Sequence, residues 1–324
     1  MFQFLSFSKQ KKNSSTIAFY NVENLFDTQD NPKTADDDFT PKGKKKWTYK
    51  RYNAKIKKLS SVISQLGLNK SKYPPAIVGL VEVENAKVVS DLANSSSLKK
   101  HHYGFVHHNS PDERGIDVAL LYNKIAFELI DSEIYPVYLL NEDGDLDYTR
   151  DILKVSGNLH GELVHILVNH WSSRREGVLE TEPKRIIAAK TARTIIEEIK
   201  SKEMSPKIIV MGDFNDDPTS KSVKEYLVKD DFYNPMENLL AKGNGSLTFN
   251  GKWNLFDQII FSNNFLEKTT DKHYFKHAEV FNKQWMKIYK GKYKGSPFRT
   301  YIGPWYKGGF SDHFPVYAFL KKKD

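Results

Sequence analysis

Apolar residues fall in short runs bounded by polar or turn-forming residues, and most of these runs are too short for helices. Residues 16–21 (TIAFYN) predict a strand, and residues 76–83 (AIVGLVEV) predict a buried strand that ends in acids. Further strands are predicted at 103–107, 117–122, 152–159 and 163–168, with short buried ones at 207–211 (KIIVM), 258–261 (QIIF) and 316–320 (VYAFL). Two segments have helical spacing instead. Ile56, Leu59, Ile63 and Leu66 form a stripe over residues 53–66. Residues 183–200 (PKRIIAAKTARTIIEEIK) follow Glu180 and Glu182 and end on Lys200, which suits the helix dipole at both ends. Residues 27–50 are polar and predict a long loop. Strands that follow strands, with helices interspersed, point to mixed or antiparallel sheets covered by helices rather than a strict βαβ alternation. With no internal repeat and no Pro- or Gly/Ser-rich linker, residues 16–321 are expected to form a single domain. Residues 1–15 read as a frayed tail, because their lysines follow a short apolar run, the reverse of a secretory signal.

Charge and composition narrow the chemistry. The 324 residues carry a formal net charge of +9 and no cysteine. A basic balance favours anionic partners such as nucleic acid, phospholipid heads or phosphorylated small molecules. Without cysteine there is no disulfide, thiolate nucleophile or Cys-based zinc site. Any metal must be held by Asp, Glu, Asn or His, which favours Mg²⁺ or Mn²⁺. No apolar stretch approaches a membrane span, and a cytoplasmic monomer is the expectation. Residues 268–309 interleave lysines with Trp285, Tyr289, Tyr293, Phe298, Tyr301, Trp305 and Tyr306. Such a stretch either stacks bases and binds phosphates or packs as an aromatic insert.

Several polar groups end the apolar runs. Asn21 and Glu23 lie two apart, so a regular strand would aim both at one face, with a turn or cap at Asn24 as the competing reading. Glu82 and Glu84 follow a buried run and need partners, a cation or an arginine. VNHWSSRR sets His170 ahead of Ser172, Ser173, Arg174 and Arg175, a mixture suited to phosphate. GDFNDDP offers Asp213 and Asn215, with Asp216 and Asp217 read as cap and turn residues. Asp257 opens FDQIIFS, and GGFSDHFPV carries Asp312 and His313. A carboxylate such as Asp257 can orient and charge an imidazole such as His313.

The pieces NVEN, GLVEVEN, RGIDVALLYN, VNHWSSR, GDFNDDP, FDQIIFS and GGFSDHFPV, in this order, resemble the endonuclease/exonuclease/phosphatase superfamily from about residue 16 to 320. The resemblance implies an α/β four-layer sandwich, two mixed sheets flanked by helices as in deoxyribonuclease, with Mg²⁺ (or Mn²⁺) bound at one edge. It implies Glu82 as the main metal ligand, with Asn21, Glu23 and Asp312 in or near the metal sphere, although relatives often carry aspartate in place of Glu23. Asp213 and Asn215 would orient the nucleophile and stabilise the transition state, and His170 would donate to the phosphate. His313 and Asp257 would form the base or proton-relay pair. Arg114 and Asp117 would support or bind substrate, as would Ser173 and Arg174. The activity implied is hydrolysis of phosphate esters. The basic balance favours a phosphodiesterase cutting DNA or RNA; a phosphatase or phosphodiesterase acting on a small metabolite or lipid head group is the alternative. The span from Asp257 to Asp312 is longer than in compact repair nucleases, and the stretch 268–309 that fills it would form the rim that sets specificity.

Overall fold

The computed structural model describes residues 14–141, 143–249 and 251–323. Twelve strands build its two main sheets: β1 (Ser14–Leu25), β2 (Ile77–Val83), β3 (Tyr103–His107), β4 (Asp117–Asn123), β5 (Phe127–Tyr135), β6 (Ile152–Leu159), β7 (Glu162–His170), β8 (Ile208–Asp213), β9 (Phe232–Tyr233), β10 (Asp257–Ser262), β11 (His273–Val280) and β12 (Val316–Lys322). Sheet one runs β11-β12-β1-β2-β4-β3 and sheet two runs β9-β10-β8-β7-β6-β5. In each sheet one parallel pair, β1/β2 or β7/β8, sits at the centre and all other neighbours are antiparallel. The strand starts and ends at one edge of each sheet therefore come from several distant parts of the chain.

The inner faces of the sheets share one apolar core, in which Phe19, Val78 and Leu120 of sheet one join Met211, Ile259 and Val168 of sheet two. Gly79 permits the close approach. A Cβ there would lie 2.5 Å from Met211 Sδ, well inside van der Waals contact. Helices α1 (Tyr49–Ile63) and α2 (Ala86–Ala93) pack Leu59, Val62, Val88 and Leu92 into this same core from the side of sheet one. Helix α3 (Glu182–Lys202) covers the outer face of sheet two. Its Ala188, Ala192, Ile195 and Ile199 pack on Leu167, Ile208, Val210 and Ile260. Truncating Ile195 to Ala would cost about 2–5 kcal/mol at such a site. The layers are thus helix, sheet, sheet, helix.

Several boundaries differ from the sequence expectation. Of the expected tail, residues 1–13 lie outside the described residues, whereas Ser14 and Ser15 already pair with Lys321 and Leu320. Helix α2 is only two turns long, too short for a periodic signal, and is started by Asn85, whose side chain accepts from Val88 N. Strand β5 is an edge strand with Glu128, Asp131 and Glu133 facing out, which obscured its alternation. The stretch 268–309 is not one insert. It begins with β11, which pairs along the whole of β12 and buries His273, Ala278 and Val280. Only the part beyond β11, with a small hairpin of Tyr301–Ile302 and Trp305–Tyr306, lies outside the main sheets. Among the described residues no helix is long and apolar enough to cross a membrane.

Candidate active site

The parallel pairs end, and their antiparallel partners begin, at a single edge of the sandwich. Asp213 ends β8 in register with His170, the last residue of β7, and with Asp257, the first of β10. Asn21 and Glu82 approach from the ends of β1 and β2, and Asp312–His313 from the turn before β12. Two bulges aim these groups. The β1/β2 register shifts between Asn21 and Leu25, where Glu23 (φ 52) and Asn24 (φ 51) are left-handed. The β2/β4 register shifts at Glu82 (φ 63). Positive φ in non-glycine residues is uncommon and persists where the surroundings demand it.

Three side chains converge on one carboxylate oxygen. Asp213 Oδ2 accepts from Asn21 Nδ2 at 3.0 Å and lies 3.9 Å from His313 Nε2 and 4.0 Å from His170 Nε2. The two imidazole distances exceed hydrogen-bond length. His313 Nδ1 is held by Asp257 Oδ2 at 2.7 Å, and its backbone N–H donates to Ser311 Oγ. Burial pushes the Asp213 carboxyl up to about 6, against the pull of His313. Burial alone would lower His313, but the carboxylates of Asp257 and Asp213 overturn this and raise it well above its usual value. His170 is shifted the other way, well down, by burial and by the nearby Arg150, Arg114 and His313. Its Nδ1 is buried without a partner. The two imidazoles beside the carboxylate are therefore pushed in opposite directions.

The oxygen donors beside this centre fit a hard divalent cation. Glu82 accepts from Asn21 Nδ2 and from the backbone N–H of Asn24, so its carboxylate is fixed in place. Asp312 Oδ1 is buried with no hydrogen-bond partner, an unsatisfied acceptor that a cation would satisfy. Asn21 Oδ1 adds a third oxygen, anchored by Glu23 N–H. Ligand atoms of Asp213, Asp257 and His313 also cluster within 4.8 Å. There His313 Nδ1 is already committed to Asp257, which suits proton handling better than metal ligation.

Glu23 departs from its expected role as a metal ligand. Its left-handed backbone breaks strand alternation, and its carboxylate turns to Arg299 Nε (3.2 Å), Thr300 N–H (2.6 Å) and Lys55 Nζ (3.6 Å). Asp117 is engaged within the fold. Its two oxygens take His107 Nε2 and both the N–H and Oγ of Ser110, so it fastens the 108–112 loop, a supporting position. Arg174 is engaged as well. It bonds Asp216, which also pairs with the buried Arg185, and stacks 4.6 Å from the Phe256 ring centroid. Asp216 is accordingly a buried anchor, more than a cap or turn residue. Asn215 is at the site, with its amide on the Trp171 carbonyl, and it lines a groove with Ser173, Arg174, Phe249 and Asp312. Arg114 lines a neighbouring cavity with Glu23 and Arg299.

Sequence reasoning missed Arg299, Lys55, Ser311 and Arg150. Arg299 bonds both Glu23 and Asp312, and Ser311 Oγ ties the turn to the Asn21 carbonyl. Arg150 is buried between Asp112 and the Trp171 carbonyl, beneath His170 in charge terms. Ser311 was recoverable from its place inside GGFSDHFPV, whereas the others lie in segments with no local signal.

Several solved structures share this fold. A humanized TDP2 from D. rerio superposes with a TM-score of 0.59 at 16% identity, covering 96% of this chain and 100% of that one. D. rerio TDP2 complexed with a single-strand DNA product gives 0.54 at 17% identity, covering 95% and 99%. A mannosyl-6-phosphatase from Bacteroides thetaiotaomicron gives 0.55 at 16% identity, covering 94% and 99%. At these identities the likeness concerns the fold alone. No curated protein matches the sequence. The sequence profile of the Endonuclease/Exonuclease/phosphatase family matches residues 16–322. With the fold, the metal-suited oxygens and the buried Asp–His pair in place, this chain belongs to the endonuclease/exonuclease/phosphatase family of divalent-metal-dependent phosphoesterases.

Proposed function

We propose that the chain is a Mg²⁺-dependent phosphodiesterase that hydrolyses DNA or RNA by in-line attack of water. The observation that carries the reading is the convergence of His170, His313 and Asn21 on Asp213 Oδ2, beside the oxygen donors of Glu82 and Asp312. Asp213 is placed to orient a water and take its proton. His313, backed by Asp257, carries the positive charge that faces the developing negative charge on the phosphoryl group. His170, whose burial favours the neutral ring, offers an N–H to a non-bridging oxygen, and Asn215 lines the groove beside Asp312. Glu82, Asp312 Oδ1 and Asn21 Oδ1 would hold the cation, which when bound polarises the phosphoryl oxygen and neutralises its charge.

The nuclease branch is supported by the net charge of +9 and by two open cavities, one beside Asp312 and one beside Glu23 and Arg299. The likeness to TDP2 with a DNA product agrees with that branch, and the likeness to a mannosyl-6-phosphatase keeps a small phosphate ester as the second reading. A release assay on plasmid, oligonucleotide and a panel of phosphate monoesters, each with Mg²⁺ and with chelator, separates them. Chelator-sensitive cleavage of the polynucleotides at rates far above those of the monoesters is expected. Turnover of monoesters alone would transfer the chain to the phosphatase branch.

A further inference from the structure

Adjoining Glu23 and Arg299 is a cavity of about 390 Å³ whose wall carries four cations from separate parts of the chain: Lys45, Arg114, Arg175 and Arg299. Two acids, Glu23 and Asp38, share that wall, and both have cationic partners. Glu23 is held by Arg299, Lys55 and the Thr300 N–H, and Asp38 lies 3.4 Å from Lys44. The remaining cations are poorly compensated. Lys45 donates to the Gly303 carbonyl, a neutral partner. Arg114 Nε lies 3.7 Å from Asp112 Oδ1, but Asp112 also bonds the buried Arg150 at 3.0 Å. Arg175 is exposed and makes no hydrogen bond or ion pair among the described residues.

Converging cations with so little compensation repel one another until an anion joins them, and guanidinium groups match phosphate oxygens in pairs. Arg175 also lines the groove that holds Asn215 and Asp312, so the cationic cavity and that groove share a wall. Arg299 links the two regions directly, through Glu23 on one side and Asp312 on the other.

We propose that this cavity is a subsite for a second phosphate group of the substrate, next to the one cleaved at Asp213 and His313. The proposal rests on the phosphoesterase reading above and narrows it: the substrate carries at least two phosphates. A polynucleotide supplies them at successive positions, and a small bisphosphate supplies them on one scaffold.

Calorimetry on the Ca²⁺-loaded full chain tests this with two matched pairs. One is adenosine 5′-monophosphate against adenosine 3′,5′-bisphosphate, and the other is glucose 6-phosphate against glucose 1,6-bisphosphate. In at least one pair the bisphosphate should bind tighter by about tenfold or more, roughly the gain from one added charge-assisted contact. Arg175→Gln and Arg114→Gln, both at solvent-accessible positions, should each lower that ratio. A preference confined to the adenosine pair assigns the source to nucleic acid, and one confined to the glucose pair to a small metabolite. Equal affinities within both pairs, or a preference that survives both substitutions, would overturn the subsite. Absence of any Mg²⁺-dependent hydrolysis, with the binding preference intact, would fault the phosphoesterase reading and leave the subsite standing.

Discussion

The sandwich contains two buried carboxylate–histidine pairs of closely similar build, and only one of them stands at the proposed active site. Asp257 opens β10 in sheet two and holds His313, just ahead of β12 in sheet one, at 2.7 Å. Away from that site, Glu162 opens β7 in sheet two and holds His273, the first residue of β11 in sheet one, at 2.6 Å. Each bond runs from a carboxylate oxygen to Nδ1, and each carboxylate keeps a second oxygen without a hydrogen-bond partner. The difference lies at the other ring nitrogen. His313 Nε2 looks across a 3.9 Å gap to Asp213, beside the metal-suited oxygens. His273 is fully buried, its Nε2 has no partner, its ring stacks on His160 at 6.1 Å, and Lys207 caps its carbonyl. The pairing orients an imidazole in both places. The role proposed for one of them rests on an open gap with an acceptor on the far side.

The largest expected contrast comes from removing the two imidazoles. His313→Ala should lower kcat by about 10²–10⁴-fold, the usual contribution of a positioned proton-handling group. His273→Ala should leave kcat close to wild type and instead lower unfolding stability by about 1–3 kcal/mol, because it strands the Glu162 carboxylate in the interior. Steady-state kinetics and urea unfolding on both variants check this, and a large kcat loss in His273→Ala would erase the distinction.

A similar contrast separates the two glutamates at the bulges. Glu82→Gln should reduce turnover by about 100-fold or more, through loss of charge stabilisation, and should weaken Mn²⁺ binding measured by electron paramagnetic resonance. Glu23→Gln should act on stability, since Glu23 anchors Arg299, Thr300 and Lys55. Equal loss of Mn²⁺ affinity in both variants would restore Glu23 as a ligand.

What could be read from sequence follows the same division. Core strands such as β2 and β8 are continuous apolar runs and could hardly be anything else. The site residues were legible because they sit where such runs end. Edge strands β5 and β11 were not, since charged positions (Glu128, Asp131 and Glu133; Lys276 and Glu279) interrupt their apolar runs. Glu23 was misdirected because two-residue alternation assumes a regular strand, and positive φ at Glu23 and Asn24 is invisible in composition. Asp117 and Arg174 sit in family-like motifs, yet their partners, Ser110 and Asp216, could be identified only from the folded chain. Arg299 meets Glu23 across 276 residues, a separation no local pattern spans.

Smaller effects sharpen the contrast further. The His273 hydrogen bonds and charge outweigh burial and hold Glu162 below its ordinary value of 4.5. That contribution to stability is present above the unfolded value and is lost as pH falls through the folded one. The stability gap between wild type and Glu162→Gln, read from urea unfolding, should therefore be widest near neutrality and should close in acid, as pH falls through the folded value. A gap that is flat with pH would mean that the charge of Glu162 contributes nothing. Smallest of all, Arg299→Gln removes a positive charge facing Glu23 and Asp312, and should tighten Mn²⁺ binding by about threefold to tenfold. Weaker binding would show that Arg299 positions the ligands instead of competing with the cation.

The account turns on Asp257 and His313 acting as one unit on Asp213, and a double-mutant cycle in kcat measures that most directly. Asp257→Ala, His313→Ala and the double variant are compared with wild type on whichever phosphate ester the release assay identifies. If the pair is a unit, the double variant should be little slower than His313→Ala alone, because the carboxylate acts only through the imidazole. Losses that multiply would show two independent contributions, and would contradict the claim that this pair differs from Glu162–His273 by what its second nitrogen faces.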